Sequence, residues 1–210
     1  MRAQRRSRPQ SDEAASSGIF APCAILRLPM PTTERLILRP WRPADRAPFA
    51  AMNADREVMR YVRDGRPMTH EQSDELVDAI EAHWERHGFG LWCAAPLDEP
   101  DACIGFIGLA IPSFLPAVLP AVEVGWRLAR PAWGRGLATE GARASLAHAF
   151  GPLSLESVIS VIDPDNDRSV RVAEKLGMRY ETSHLHPVTG RKLHAYAISS
   201  HVAGSSLLPA

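Results

Sequence analysis

Residues 121–150, AVEVGWRLARPAWGRGLATEGARASLAHAF, constrain the fold more than any other part of the chain. An apolar run of strand character leads into a turn punctuated by Gly134, Gly136 and Gly141, and Ala142, Leu146, Ala149 and Phe150 then recur at helical spacing. The helix is expected from about Thr139 to Phe150, and ESVISVI follows it as a second strand. Strand, helix, strand in that order requires a right-handed crossover and a locally parallel pair. The strand candidates before it, FGLWCAA, ACIGFIGL and AVEVGWRL, are separated by short turn-rich pieces and form an antiparallel meander. RLILRPW supplies a first strand, and YETSHLH and KLHAYAIS close the sheet. The expected class is therefore α+β, with a mixed, mostly antiparallel sheet flanked by helices.

The helices carry their own signals. Pro43 opens the helical stretch PADRAPFAAMNA. Thr69 and Gln72 make a capping box ahead of the stripe Leu76, Val77, Ile80 and Trp84, which Gly88 and Gly90 end. In DPDNDRSVRVAEKLGM a turn precedes a helix whose Ser169, Val172, Ala173 and Leu176 share a face, with Gly177 at its C-terminal stop. One domain is expected over residues 30–203, because residues 1–29 lack any period and read as a flexible tail, and 204–210 read as a loose end. Met30 stands directly before the first motif and is a second candidate start.

A formal net charge of zero gives no reason to expect nucleic acid or an anionic membrane surface as partner. Of the 24 basic residues all but Lys175 and Lys192 are arginine, which fits either forked anion recognition or coding bias. Cys23, Cys93 and Cys103 are odd in number and lack C-x-x-C spacing, so neither a disulfide framework nor a zinc ribbon is expected, and a reducing cytoplasm fits best. No apolar run approaches the ~18 residues of a membrane span. His184 and His186 share a strand face, but no third ligand accompanies them and no metal is expected.

Glycines that follow a strand and open a helix expose backbone N–H groups to an anion, and Arg135 adds a charged donor. A phosphate-bearing ligand is the natural guest; a plain strand-to-helix turn is the alternative, and spacing alone does not separate them. GRGLATEG lacks the Gly-Lys-Ser/Thr ending of a Walker loop. It also lacks the acidic residue of a dinucleotide fingerprint. The pyrophosphate of coenzyme A remains.

With TERLILRPWRPAD, ACIGFIGL, AVEVGWRLARPAWGRGLATEGA and DPDNDRSVRVAEKLGM in this order, the chain resembles the GNAT superfamily of N-acetyltransferases over about residues 32–200. Within it the chain is similar to the branch of ribosomal-protein N-terminal acetyltransferases of the RimJ/RimL type. The family turn, Arg/Gln-x-x-Gly-x-Gly/Ala, reads here Trp133, Gly134, Arg135, Gly136, Leu137 and Ala138. The resemblance implies acetyl-CoA as donor, an amine as acceptor and a splayed parallel strand pair; a homodimer is a separate candidate, from the apolar loop before Glu123.

The same resemblance assigns roles. Backbone groups around Trp126, Arg127 and Leu128 pair with the pantetheine arm, and residues 133–139, ending at Thr139, hold the pyrophosphate. Asn166 bonds the cofactor arm, with helix capping as the other reading of that residue. Ser169 lies near the leaving thiolate. Glu123 is the candidate base, on one strand face with Gly125 and Arg127; a solvated strand carboxylate is its alternative. Many relatives carry a Tyr as proton donor where this chain has Ala173, which leaves the general acid to Ser169 or water. The apolar loop IPSFLPAVLPAVE is read as a pocket floor, a dimer contact or core packing.

Overall fold

The computed structural model describes residues 30–202, so the expected tail and loose end lie outside the described residues. Seven strands form one sheet in the order β1-β2-β3-β4-β5-β7-β6. They are β1 (Leu36–Arg39), β2 (Leu91–Pro96), β3 (Gly105–Ala110), β4 (Glu123–Leu128), β5 (Ser157–Ile162), β6 (Arg179–Leu185) and β7 (Lys192–Ser199). Every neighbouring pair is antiparallel except β4 and β5. That parallel pair shares a single register position, Glu123 opposite Ile159, and then diverges. The expected α+β architecture with a splayed pair is what the chain adopts.

Five α-helices accompany the sheet: α1 (Arg46–Asn53), α2 (Arg56–Met59), α3 (His70–His87), α4 (Leu137–Phe150) and α5 (Asp167–Lys175). On one face α4 and α5 bury Leu137, Ala142, Leu146, Ala173 and Leu176 against Leu36, Ile107, Val124, Val158 and Ile198. On the other face α1 and α3 close a second core of Trp41, Phe49, Val77, Ile80, Cys93 and Phe106. The Thr69–Gln72 capping box forms in both directions, and Gly88 ends α3 at φ 73°.

Three expectations are corrected. PADRAPFAAMNA is not one helix, since Pro43–Asp45 forms a 3-10 turn before α1. The helix of the glycine turn starts at Leu137, one half-turn before the expected Thr139, because Gly136 at φ 80° already serves as its N-cap. Gly141 is not part of the turn: a Cβ there would collide with Ile107 Cδ1, so its role is to let α4 lie close on β3.

The largest buried polar side chain, Arg39, forks onto both oxygens of Asp45 at 2.7 and 2.8 Å. Burial disfavours the Asp45 carboxylate, but the Arg39 bonds and the Arg42 N–H outweigh it and hold its pKa below the ordinary range. Asp45, Cys93 and Cys103 bring three ligand-type atoms within 4.8 Å of one another, yet the guanidinium already supplies the cation there.

Candidate active site

A cleft of about 520 Å³ opens where β4 and β5 part, bounded by the glycine turn, the start of α5 and the segment from Glu57 to Val62. Of the residues read from sequence, Trp126, Arg127, Leu128, Trp133, Gly134, Gly136, Leu137, Ala138, Thr139, Asn166 and Ser169 all line it. Glu123 and Arg135 do not: Glu123 sits at the β4–β5 register position, and the Arg135 carbonyl accepts a 2.9 Å bond from Arg35 Nη1 outside the cleft. The apolar loop stays out as well, with Leu115 buried and Phe114 stacked on His186. His186 Nδ1 in turn accepts the N–H groups of Val188 and Thr189, which makes it a turn former.

Strand alternation explains the cleft. Ile159 N–H donates to the Val122 carbonyl, so even-numbered residues of β4 present their backbone to β5. The next rung would join Val161 N–H to Val124; instead Val161 N–H donates to Glu123 Oε1 at 3.0 Å. The Glu123 side chain thus ends the ladder, and beyond it the backbone of Trp126 faces the gap without a strand partner. Among Trp126, Arg127 and Leu128 it is therefore Trp126 that offers both groups to a ligand. Arg127 is turned toward β3, and the Leu128 carbonyl is taken by Trp133 Nε1 at 2.6 Å.

Glu123 is pushed up to about 7, first by burial, against which the Val161 N–H acts as a smaller opposing influence. On the same strand face, Arg127 donates from Nη1 to Asn53 Oδ1 at 2.9 Å and lies 5.1 Å from the Phe106 ring centre. Burial, and then the charge of Arg63, bring Arg127 down to about 10. Across the gap Ser169 Oγ accepts from Trp126 Nε1 at 3.3 Å. An indole N–H only donates, so the Ser169 hydroxyl proton is left for another acceptor. Asn166 Oδ1 caps α5 by accepting from Ser169 N at 3.3 Å, the capping reading of that residue. Ala173, at the place of the missing Tyr, is fully buried in the main core.

Gly134 and Gly136 both sit at positive φ, 72° and 80°, and nothing lies within 4 Å of a Cβ built on Gly134. The first N–H groups of α4 open into the cleft with no side-chain cap. Arg168 covers the turn, 4.4 Å from the Trp133 ring centre, and Arg171 and Lys175 follow along α5. These cations were not singled out from sequence, because a helix period assigns them only to the polar side. A spacing of 3 and 4 residues from Arg168 would have put all three on one stripe.

The family profile described as an acetyltransferase (GNAT) domain matches residues 35–179. The chain is 33% identical over 155 residues to the uncharacterized protein YkkB of Bacillus subtilis, covering 70% of this chain and 84% of that protein. Among solved structures, the acetyltransferase from Agrobacterium tumefaciens superposes with a TM-score of 0.69 at 30% identity, over 81% of this chain and 94% of that one. Mycobacterium smegmatis RimJ, solved in complex with CoA-disulfide, shares the fold with a TM-score of 0.65 at 20% identity, over 82% and 85% of the two chains. A split β4–β5 pair, a glycine turn opening α4 and a profile match across most of the chain lead to one conclusion: the chain belongs to the GNAT family of acetyltransferases.

Proposed function

We propose that this chain transfers an acetyl group from acetyl-CoA directly to a primary amine, with Glu123 as base and Ser169 as proton donor. The observation that carries the reading is Glu123 at the point where β4 and β5 part, with its carboxyl raised to about 7. A base is most effective when its pKa lies near the working pH.

The turn from Trp133 to Thr139 would receive the pyrophosphate on the α4 N-terminus, and Arg168, Arg171 and Lys175 would add positive charge around it. A second hollow of about 370 Å³ shares Gly136, Thr139 and Lys175 and adds Arg143, Glu34 and the Arg35–Glu140 ion pair, so Arg143 and Lys175 are the cations it would offer an outlying phosphate. The unpaired Trp126 backbone would bond the pantetheine arm as an added strand, and its N–H is the candidate donor to the thioester oxygen. Glu123, directly or through water, would take a proton from the ammonium. The neutral amine would then form the C–N bond as the C–S bond breaks, the Ser169 hydroxyl would give its proton to the departing thiolate, and the proton shed by the acylated nitrogen would restore that hydroxyl through water.

Similarity of the turn to the RimJ/RimL branch supports a protein N-terminal α-amine as acceptor; small amines and a non-catalytic acetyl-CoA sensor are the alternatives. A sensor needs neither a base poised near neutrality nor a hydroxyl with a free proton, so the site favours an enzyme. The free thiols of Cys93 and Cys103 support a cytoplasmic setting, and no helix among the described residues is long and apolar enough to cross a membrane. The test is thiol release from acetyl-CoA across N-terminal peptides and small amines. Release with at least one primary amine is expected; saturable acetyl-CoA binding without release from any amine would leave the sensor.

A further inference from the structure

We infer that the amine acceptor carries a carboxylate, received by Arg127 while the amine is held at Glu123 across the open space above Gly125. The inference rests on the transferase reading above and names the class of acceptor. Glu123, Gly125 and Arg127 share one face of β4, and four residues of strand set the two end residues roughly 13 Å apart at their Cα atoms. The residue between them is bare: a Cβ built on Gly125 meets no heavy atom within 4 Å. No side chain of that residue therefore stands between the other two on this strand face, and Arg127 lines the cleft.

The charges on that face do not balance. Among the described residues Arg127 Nε is buried without a hydrogen-bond partner, and the one side chain that accepts from its guanidinium is the neutral Asn53. No carboxylate among the described residues lies within ion-pair distance of Arg127, whereas other arginines are paired: Arg130 with Asp55 at 2.6 Å, and Arg191 with Asp163 at 2.7 Å. Arg63 adds a second positive charge close enough to disfavour the first. A buried guanidinium without an anion is costly unless something supplies one.

Its aim is also fixed. Asn53 is itself held by Ser73 Oγ at 2.9 Å, and the guanidinium rests over Phe106. A planar fork held in this way matches a carboxylate in two parallel bonds. The same charges disfavour polycationic acceptors such as polyamines. The carboxylate has two sources, a small amino acid or an acidic residue close to a protein N-terminus, and both present the same chemistry to Arg127.

Thiol release from acetyl-CoA tests the inference in two arms. The first uses α-amino acids and ω-amino acids of increasing length against their primary amides; the second uses N-terminal peptides with Asp or Glu against Asn or Gln at the first two positions. In one arm kcat/KM should favour the carboxylate by about 10- to 100-fold, the scale of a charged hydrogen-bonded pair. The responding arm identifies the source. Arg127→Gln should bring the ratio close to one, chiefly through KM, and Arg127→Lys should retain part of it. Should Arg127→Gln fail to fold, the Lys variant decides, by keeping the charge and losing the fork. A parent indifferent to the carboxylate overturns the inference, as does a preference that survives in Arg127→Gln or an equal loss for all amines. If no amine releases thiol, the transferase reading fails instead. The melting temperature of the CoA-saturated protein then decides the inference: carboxylates and not their amides should raise it in the parent, and neither should in Arg127→Gln, whereas equal shifts overturn it.

Discussion

Burial lifts Glu123 from an ordinary 4.5 to about 7, and folding carries the cost of that shift at neutral pH. The folded-state value lies above the unfolded one, so the group's contribution is fully favourable below about 4.5 and is lost as pH rises through about 7. Glu123 is half-buried rather than fully enclosed, which reduces the full burial penalty. Glu123→Gln should therefore be more stable than the parent at pH 8, by on the order of 2 kcal/mol, and no more stable at pH 4. Urea denaturation at the two pH values checks this; a parent more stable at pH 8 contradicts the assigned environment. At Ser169, loss of the hydroxyl in Ser169→Ala should slow turnover ~10-fold or more while acetyl-CoA affinity holds, measured by thiol release and calorimetry. Unchanged turnover would give the proton to water. Ala173→Tyr should not restore it: the position is fully buried in the core, and the added ring should cost about 1–3 kcal/mol of stability.

At the scale of elements, the turn before α4 depends on two glycines in the left-handed region. Gly136→Asp would add both backbone strain and a negative charge at the helix end proposed to receive phosphates. Acetyl-CoA affinity should fall by ~100-fold or more by calorimetry while circular dichroism shows the fold kept; undiminished affinity would remove the turn from the cofactor site. The join of β1 to α1 rests on the buried Arg39–Asp45 fork, and Asp45→Ala should cost about 3–5 kcal/mol in denaturant unfolding because it strands a buried guanidinium. These elements differ in how plainly the sequence announced them. The Thr69–Gln72 box and the glycine turn were legible because their bonds are local. α2 was not, since four residues carry no period. The placement of β7 between β5 and β6 was not legible either, because strand order depends on contacts distant in the chain. Likewise most of the cofactor wall could be read from one contiguous motif, whereas the Arg127–Asn53 contact joins residues 74 apart and left no trace in any local pattern.

In the molecule as a whole, the proposed reaction divides two tasks over one sheet. In it the turn and α5 would bind the donor, and Glu123 and Arg127 on β4 would meet the acceptor. Binding and chemistry should then be separable by substitution, and Glu123→Gln separates them most directly, because it keeps the size and the acceptor oxygen for Val161 N–H while removing the base. The decisive measurement is kcat/KM of parent and Glu123→Gln against pH, from about 6.5 to 9.5, a window that spans deprotonation of an α-amine, with acetyl-CoA affinity determined alongside. The account predicts equal affinities, a parent profile that rises through about pH 7, and a deficit in the variant of ~10²-fold near neutrality that shrinks as the amine arrives already neutral. Equal turnover of the two proteins at every pH, with an amine the parent acetylates, would contradict it.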